Sequence, residues 1–156
     1  MYIISKNLKK HWQNYVWQSA VVGIATAISI YVFSNIIGLI ILGGVGSTFF
    51  TVFALPNNRT AQTRNIIGSY MISIIVGIIC FYYFSGYVSG GMAVGLATFL
   101  MVITDTEHPP AAGIALGLAL ATKMEFVLKG SGFAIVGGIF SSFLHYILKP
   151  WLRDLF

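Results

Sequence analysis

Thr104-Asp105-Thr106-Glu107-His108-Pro109-Pro110-Ala111-Ala112-Gly113 is the polar interruption around which this chain is arranged. The ten positions hold two of its four acidic residues, one of its three histidines and two of its four prolines. No Asp, Glu, Lys, Arg or His occurs between Asn65 and Thr104, nor between Pro109 and Thr122. In water such a cluster is an ordinary loop. Between lipid-embedded segments, ionisable groups are costly and mark functional positions more often than not.

The composition places the chain in lipid. Of 156 residues, 57% are hydrophobic and 8% charged, with a mean hydropathy of +0.85. Soluble domains carry about 25% charged residues. The length allows one compact bundle, so residues 1–156 read as a single transmembrane domain. Nine basic residues spread over several loops fit membrane topology better than a nucleic-acid surface. Cys80 stands alone, which excludes an intramolecular disulfide. No separate secretory signal stands out, because the first apolar run is too long and no A-x-A site follows it.

Downstream of the motif, Pro109 and Pro110 cannot donate backbone hydrogen bonds and therefore start a helix. Gly113, Gly117 and Ala121 fall four apart, as do Ala111, Ala115 and Ala119. Two small-residue stripes allow close contact with neighbours on both sides. This fifth helix ends near Thr122, so it reads as short or re-entrant. Lys123, Glu125 and Lys129 read as a solvated loop, and a sixth segment is expected at about 131–148.

Upstream, a fourth helix is expected at about 90–104 after an uncharged turn at 85–89. A third, at about 66–84, ends in Phe81, Tyr82, Tyr83 and Phe84, as expected where a helix leaves the hydrocarbon. Before it lies the polar loop Pro56 to Asn65. Val16 to Leu55 is forty residues without a charge, roughly 60 Å as one helix. A bilayer core is about 30 Å thick. The run must be two spans, at about 16–33 and 36–55, turning at Ser34-Asn35. Residues 1–15, with Lys6, Lys9, Lys10, His11, Trp12 and Tyr15, suit an interfacial segment. The fold class is thus an all-α polytopic membrane bundle of about six hydrophobic segments.

Charge sets the expected orientation. With the N-terminus inside, the inner segments hold Lys6, Lys9, Lys10, Arg59, Arg64, Lys149 and Arg153, against Lys123 and Lys129 outside. Seven against two obeys the positive-inside rule, and both termini and both polar loops face the cytoplasm.

A helix opening at Pro109 leaves unpaired N–H groups and a positive dipole end near His108. The third helix opens beside Arg64 and Asn65, with Arg59 and Gln62 nearby. Together these groups suit an inner vestibule for a small anion. Two unit charges about 4 Å apart interact by about 4 kcal/mol at an effective dielectric near 20. Asp105 and Glu107 must therefore pair with an arginine, carry a proton or lie off the path. A carboxyl–histidine pair that takes up a proton would couple anion and proton movement. The blander alternatives are that Asp105 or Thr106 caps the helix and that the arginines bind lipid phosphates. His11 and His145 read as interfacial side chains without a role. Asp105, Glu107 and His108 are too crowded for one strong metal site, so neither metal, cofactor nor enzyme activity is expected.

These residues resemble the HPP family of small integral membrane proteins, named for the tripeptide present as His108-Pro109-Pro110. Gly46-Ser47, Pro56, Ala61-Gln62, Arg64-Asn65, Ile67-Gly68 and Ser73 resemble its first block, and Thr104 to Gly113 its second. The likeness covers about residues 17–148. It implies four membrane spans, against the six segments counted above, and, through members linked to nitrite transport, a small-anion substrate. At Asp105 and Glu107 this chain carries carboxylates where many relatives have small or apolar residues. Three functions stay open: an anion transporter or channel, with or without the proton coupling described; a cation or proton pathway using Asp105 and Glu107; and a structural or regulatory membrane subunit. The expected partners are membrane lipid, a small inorganic ion and further copies of the chain. The expected location is a prokaryotic inner membrane.

Overall fold

In lipid a backbone must satisfy its own polar groups, which leaves helices for apolar runs of this length. The computed structural model describes residues 8–33 and 38–155, with side chains from Trp12 onward. Six α-helices account for most of them: α1 Leu8–Phe33, α2 Leu39–Ala54, α3 Thr63–Tyr83, α4 Gly86–Ile103, α5 Pro110–Ala119 and α6 Met124–Leu148. Short 3-10 turns follow α2 at Arg59–Ala61 and α6 at Lys149–Trp151. Four helices (α1, α3, α4 and α6) are long and apolar enough to cross a membrane; α2 and α5 are shorter. Among the described residues, six helical segments thus include four candidate spans.

The shortest helix lies innermost. α5 packs against α2, α3 and α4, and Ala111, Ile114, Ala115, Leu118 and Ala119 are buried. Its small residues permit this. A Cβ on Gly117 would lie 2.5 Å from Ile41 Cγ1 and 3.1 Å from the Ile41 backbone nitrogen. A Cβ on Gly113 would lie 3.5 Å from Gly44 Cα, and one on Gly77 of α3 would come within 2.7 Å of Leu118. The close contacts expected at Gly113 and Gly117 are present. α1 packs chiefly against α2, leaving Trp12, Val16, Ile24, Ile28 and Tyr31 exposed.

The loop after α2 and the loop after α4 occupy the same end of the bundle. α4 closes with Asp105 in the left-handed region at φ 59°. Thr106 N–H donates to Met101 O at 3.0 Å and Asp105 N–H to Val102 O at 3.2 Å, the double closure of a Schellman turn with aspartate in the place usually taken by glycine. Residues 149–155 pin the same end: Leu155 N–H donates to Ala54 O at 2.9 Å, and the Asn57 side chain donates to Asp154 at 3.1 Å. Gln18 of α1 donates to Phe53 O and, at 2.9 Å, to Arg153 O.

Several boundaries differ from expectation. Residues 8–15 continue α1 without a break; residues 1–7 and the Ser34-Asn35 turn lie outside the described residues. α3 begins at Thr63, and α4 takes in residues expected as a turn. α6 begins at Met124, so Glu125 and Lys129 are helical rather than loop residues, ion-paired at 2.5 Å one turn apart. His145 is buried, its Nε2 2.9 Å from Pro56 O, and holds α6 to the loop after α2 instead of lying at an interface.

Candidate functional site

Pro109 serves as N-cap and Pro110 as the first residue of α5, which turns His108 inward from the last position before the helix. His108 is wholly buried. Its Nδ1 lies 2.7 Å from Thr60 O in the 3-10 turn. A carbonyl only accepts, so Nδ1 carries the hydrogen. Nε2, 2.9 Å from Thr48 Oγ1 of α2, then accepts from that hydroxyl. Thr48 Oγ1 in turn lies 2.6 Å from Tyr70 Oη of α3 and 3.1 Å from Gly44 O. Tyr70 is wedged against α6, where a Cβ on Gly138 would come within 2.8 Å of its ring. The motif thus reaches α2, α3 and α6 through one imidazole. Burial pushes His108 down from the ordinary 6.5 to about 4, against the opposing pull of the Thr60 hydrogen bond, so the ring is neutral near pH 7.

The charged groups form a separate, outer layer. Asp105 ion-pairs with Arg59 and, at 3.5 Å, with Arg64. Arg59 also reaches the Asp105 carbonyl at 3.4 Å, and Arg64 that of Thr104 at 3.4 Å. All three side chains are about half exposed or more, and such ion pairs contribute about 1 kcal/mol or less to stability. Their fixed charge sums to one positive. Asn65, buried in the first turn of α3, donates from Nδ2 to Glu107 O at 3.0 Å and ties the two loops together. Gln62 is exposed at the N-cap of α3 and makes no side-chain cap bond.

Beside His108 lies a cavity of about 320 Å³ lined by Thr60, Thr98, Met101, Val102, Glu107, His108, Pro109 and Ala112, with Thr98, Val102 and Pro109 exposed. The Glu107 side chain has no ion-pair partner among the described residues. Arg59 and Arg64 stand outside the cavity. Of the residues expected to share one vestibule, Glu107, His108 and Pro109 line this cavity, whereas Arg59, Arg64 and Asp105 form the separate exposed tier and Asn65 only ties the two loops together.

Thr48, Thr60 and Tyr70 were not among the residues picked from sequence. Thr48 and Tyr70 offered one signal, hydroxyls set within apolar helices; Thr60 contributes a backbone carbonyl and offered none.

An all-helical, polytopic membrane protein with a polar site at a helix start is the class that this fold and site define. Residues 7–148 match the family described as HPP, transmembrane region, and the chain belongs to it. A transmembrane protein of Dictyostelium discoideum is 26% identical over 92 residues, 56% of this chain and 32% of that relative. The chain therefore spans about a third of the length of that curated relative. No solved structure matches.

Proposed function

We propose that this chain is a transporter or channel for a small inorganic anion, with nitrite the first candidate. In this proposal it lies in a prokaryotic inner membrane, with both polar loops and both termini in the cytoplasm. The observation that carries the proposal is the Arg59–Asp105–Arg64 cluster. Two guanidinium groups share one carboxylate, so the repulsion that an isolated Asp105 would exert on an anion is cancelled and one positive charge is left over. The cluster lies at the start of α3, whose positive dipole end favours an anion, and its arginines cover the last carbonyls of α4, where the dipole end is negative. A mouth of one sign raises the local concentration of counter-ions. Nitrite is preferred because the chain belongs to a family with members linked to it. A homo-oligomer would enclose the path, since α1 covers only one side of the bundle.

Liposomes containing the purified chain test this with ions alone. Nitrite uptake above protein-free vesicles, unaffected when sodium replaces potassium, is the expected result. Glu107 supports a second reading, since an unpaired carboxylate beside a buried histidine suits a proton or cation path. Acidification of the lumen without nitrite uptake would select that path. Neither flux would select a non-transporting subunit.

A further inference from the structure

The hydrogen-bond chain behind His108 has more acceptors than hydrogens. Thr48 Oγ1 carries one hydrogen and has three neighbours: His108 Nε2 at 2.9 Å, Tyr70 Oη at 2.6 Å and Gly44 O at 3.1 Å. With a neutral ring, the Thr48 hydroxyl donates to Nε2 and Tyr70 donates to Thr48. If Nε2 gains a proton, Nε2–H donates to Thr48 Oγ1 and the Thr48 hydroxyl turns to Gly44 O. Tyr70 still donates to the remaining lone pair of Thr48. Both arrangements leave every donor satisfied, and no heavy atom moves.

We propose that His108 is the proton-binding group of this site, and that Thr48, backed by Tyr70, is the rotating hydroxyl that lets it take up a proton together with an anion. The proposal rests on the anion reading above and adds the coupling residues. One proton from water forms one N–H bond at Nε2, no bond in the protein breaks, and the site gains one positive charge.

The surroundings of His108 decide whether that charge is tolerable. α2 offers Thr48, and α3 offers Tyr70 and Asn65 without a charged group of their own in contact. The turn offers the Thr60 carbonyl, with Arg59 next to it in sequence. α4 and α5 line the cavity with Thr98, Met101, Val102 and Ala112, none ionisable. Its own loop supplies Glu107, which has no ion-pair partner among the described residues, and Asp105, which is held by the arginines. In an empty site burial keeps the ring neutral, and its midpoint lies near 4. An anion about 4 Å away at an effective dielectric near 20 would raise that midpoint by about three pH units. Such a rise brings the midpoint into the neutral range, so the anion and the proton enter as an electroneutral pair.

The test uses the full chain in lipid nanodiscs with 15N-labelled histidine, the His108 signals being those lost in His108→Gln. The Nε2 protonation midpoint is read with sodium nitrite and with sodium gluconate at equal ionic strength. Nitrite should raise it by at least one pH unit in the wild type and in Thr48→Ser. Thr48→Val removes the acceptor for Nε2–H, and the nitrite-induced rise should vanish. Should Thr48→Val not fold, Thr48→Ala replaces it: it too removes the acceptor for Nε2–H, and the nitrite-induced rise should again vanish. A midpoint indifferent to nitrite, or to both substitutions, overturns the proposal. The readout does not depend on flux. Nitrite-linked protonation without uptake in liposomes would sink the transport reading alone, and uptake with an unmoved His108 would sink this one alone.

Discussion

α1 has 26 residues and packs chiefly against α2, whereas α5 has ten and is enclosed by α2, α3 and α4. By length α1 is the better membrane span, yet the short helix is the one the others are built around. Apolar length reports that a segment is in lipid, and says nothing of how deep in the bundle it sits. Small residues report depth only when they meet something. A Cβ on Gly23 of α1 would have nothing within 4 Å, while one on Gly117 of α5 would strike Ile41. The motif gains its meaning from this contrast: His108 lies just ahead of the helix that packs against α2, α3, α4 and α6.

The largest expected effect contrasts those two glycines. Gly117→Leu should destabilise the fold by about 3 kcal/mol or more, because an isobutyl group must displace backbone. Gly23→Leu should change it by less than about 0.5 kcal/mol. Melting in detergent measures both, and similar melting temperatures would break the contrast.

Next in size is the acid response of the α5 motif. Folded His108 has its midpoint lowered to about 4 from the ordinary 6.5. Above pH 6.5 both folded and unfolded rings are neutral, and stability does not depend on this group. Between pH 6.5 and 4 only the unfolded ring takes a proton, so stability falls, by about 3 kcal/mol in all, and then levels off. Stability curves of the wild type and His108→Gln over that window should diverge. Parallel curves would mean that the ring is not held neutral by burial.

The smallest effect belongs to the outer tier. Asp105→Asn keeps a residue that tolerates the left-handed turn but removes the charge shared by Arg59 and Arg64. Because all three side chains are exposed, the loss of stability should stay below about 1 kcal/mol. Nitrite uptake should rise, as two free guanidinium groups then face the anion. A large loss of stability would sharpen the comparison the other way and make this cluster structural.

Much of this was legible in the residues. The forty uncharged positions forced a turn in the first hydrophobic run, the double proline fixed the start of α5, and the four-residue stripes predicted its close packing. What misled was charge. Lys123, Glu125 and Lys129 read as loop, but a glutamate four residues before a lysine supports a helix, and α6 opens there. Residues 8–10 likewise extend α1, since lysine is a good helix former. His145 looked idle because its partner, the Pro56 carbonyl, lies 89 positions away. Thr48 and Tyr70 were hidden for the same reason: their role exists only once α2 and α3 meet the motif.

Nitrite uptake into liposomes, comparing the wild type with an Arg59→Ala/Arg64→Ala double variant, tests the central claim most directly. The double substitution leaves Asp105 unpaired at the mouth and reverses its sign. Uptake at pH 7.5 should fall about tenfold or more, and part of it should return on acidification, as the freed carboxylate gains a proton. Wild-type uptake no greater than that of protein-free vesicles, or equal uptake by both proteins at every pH, would contradict the account.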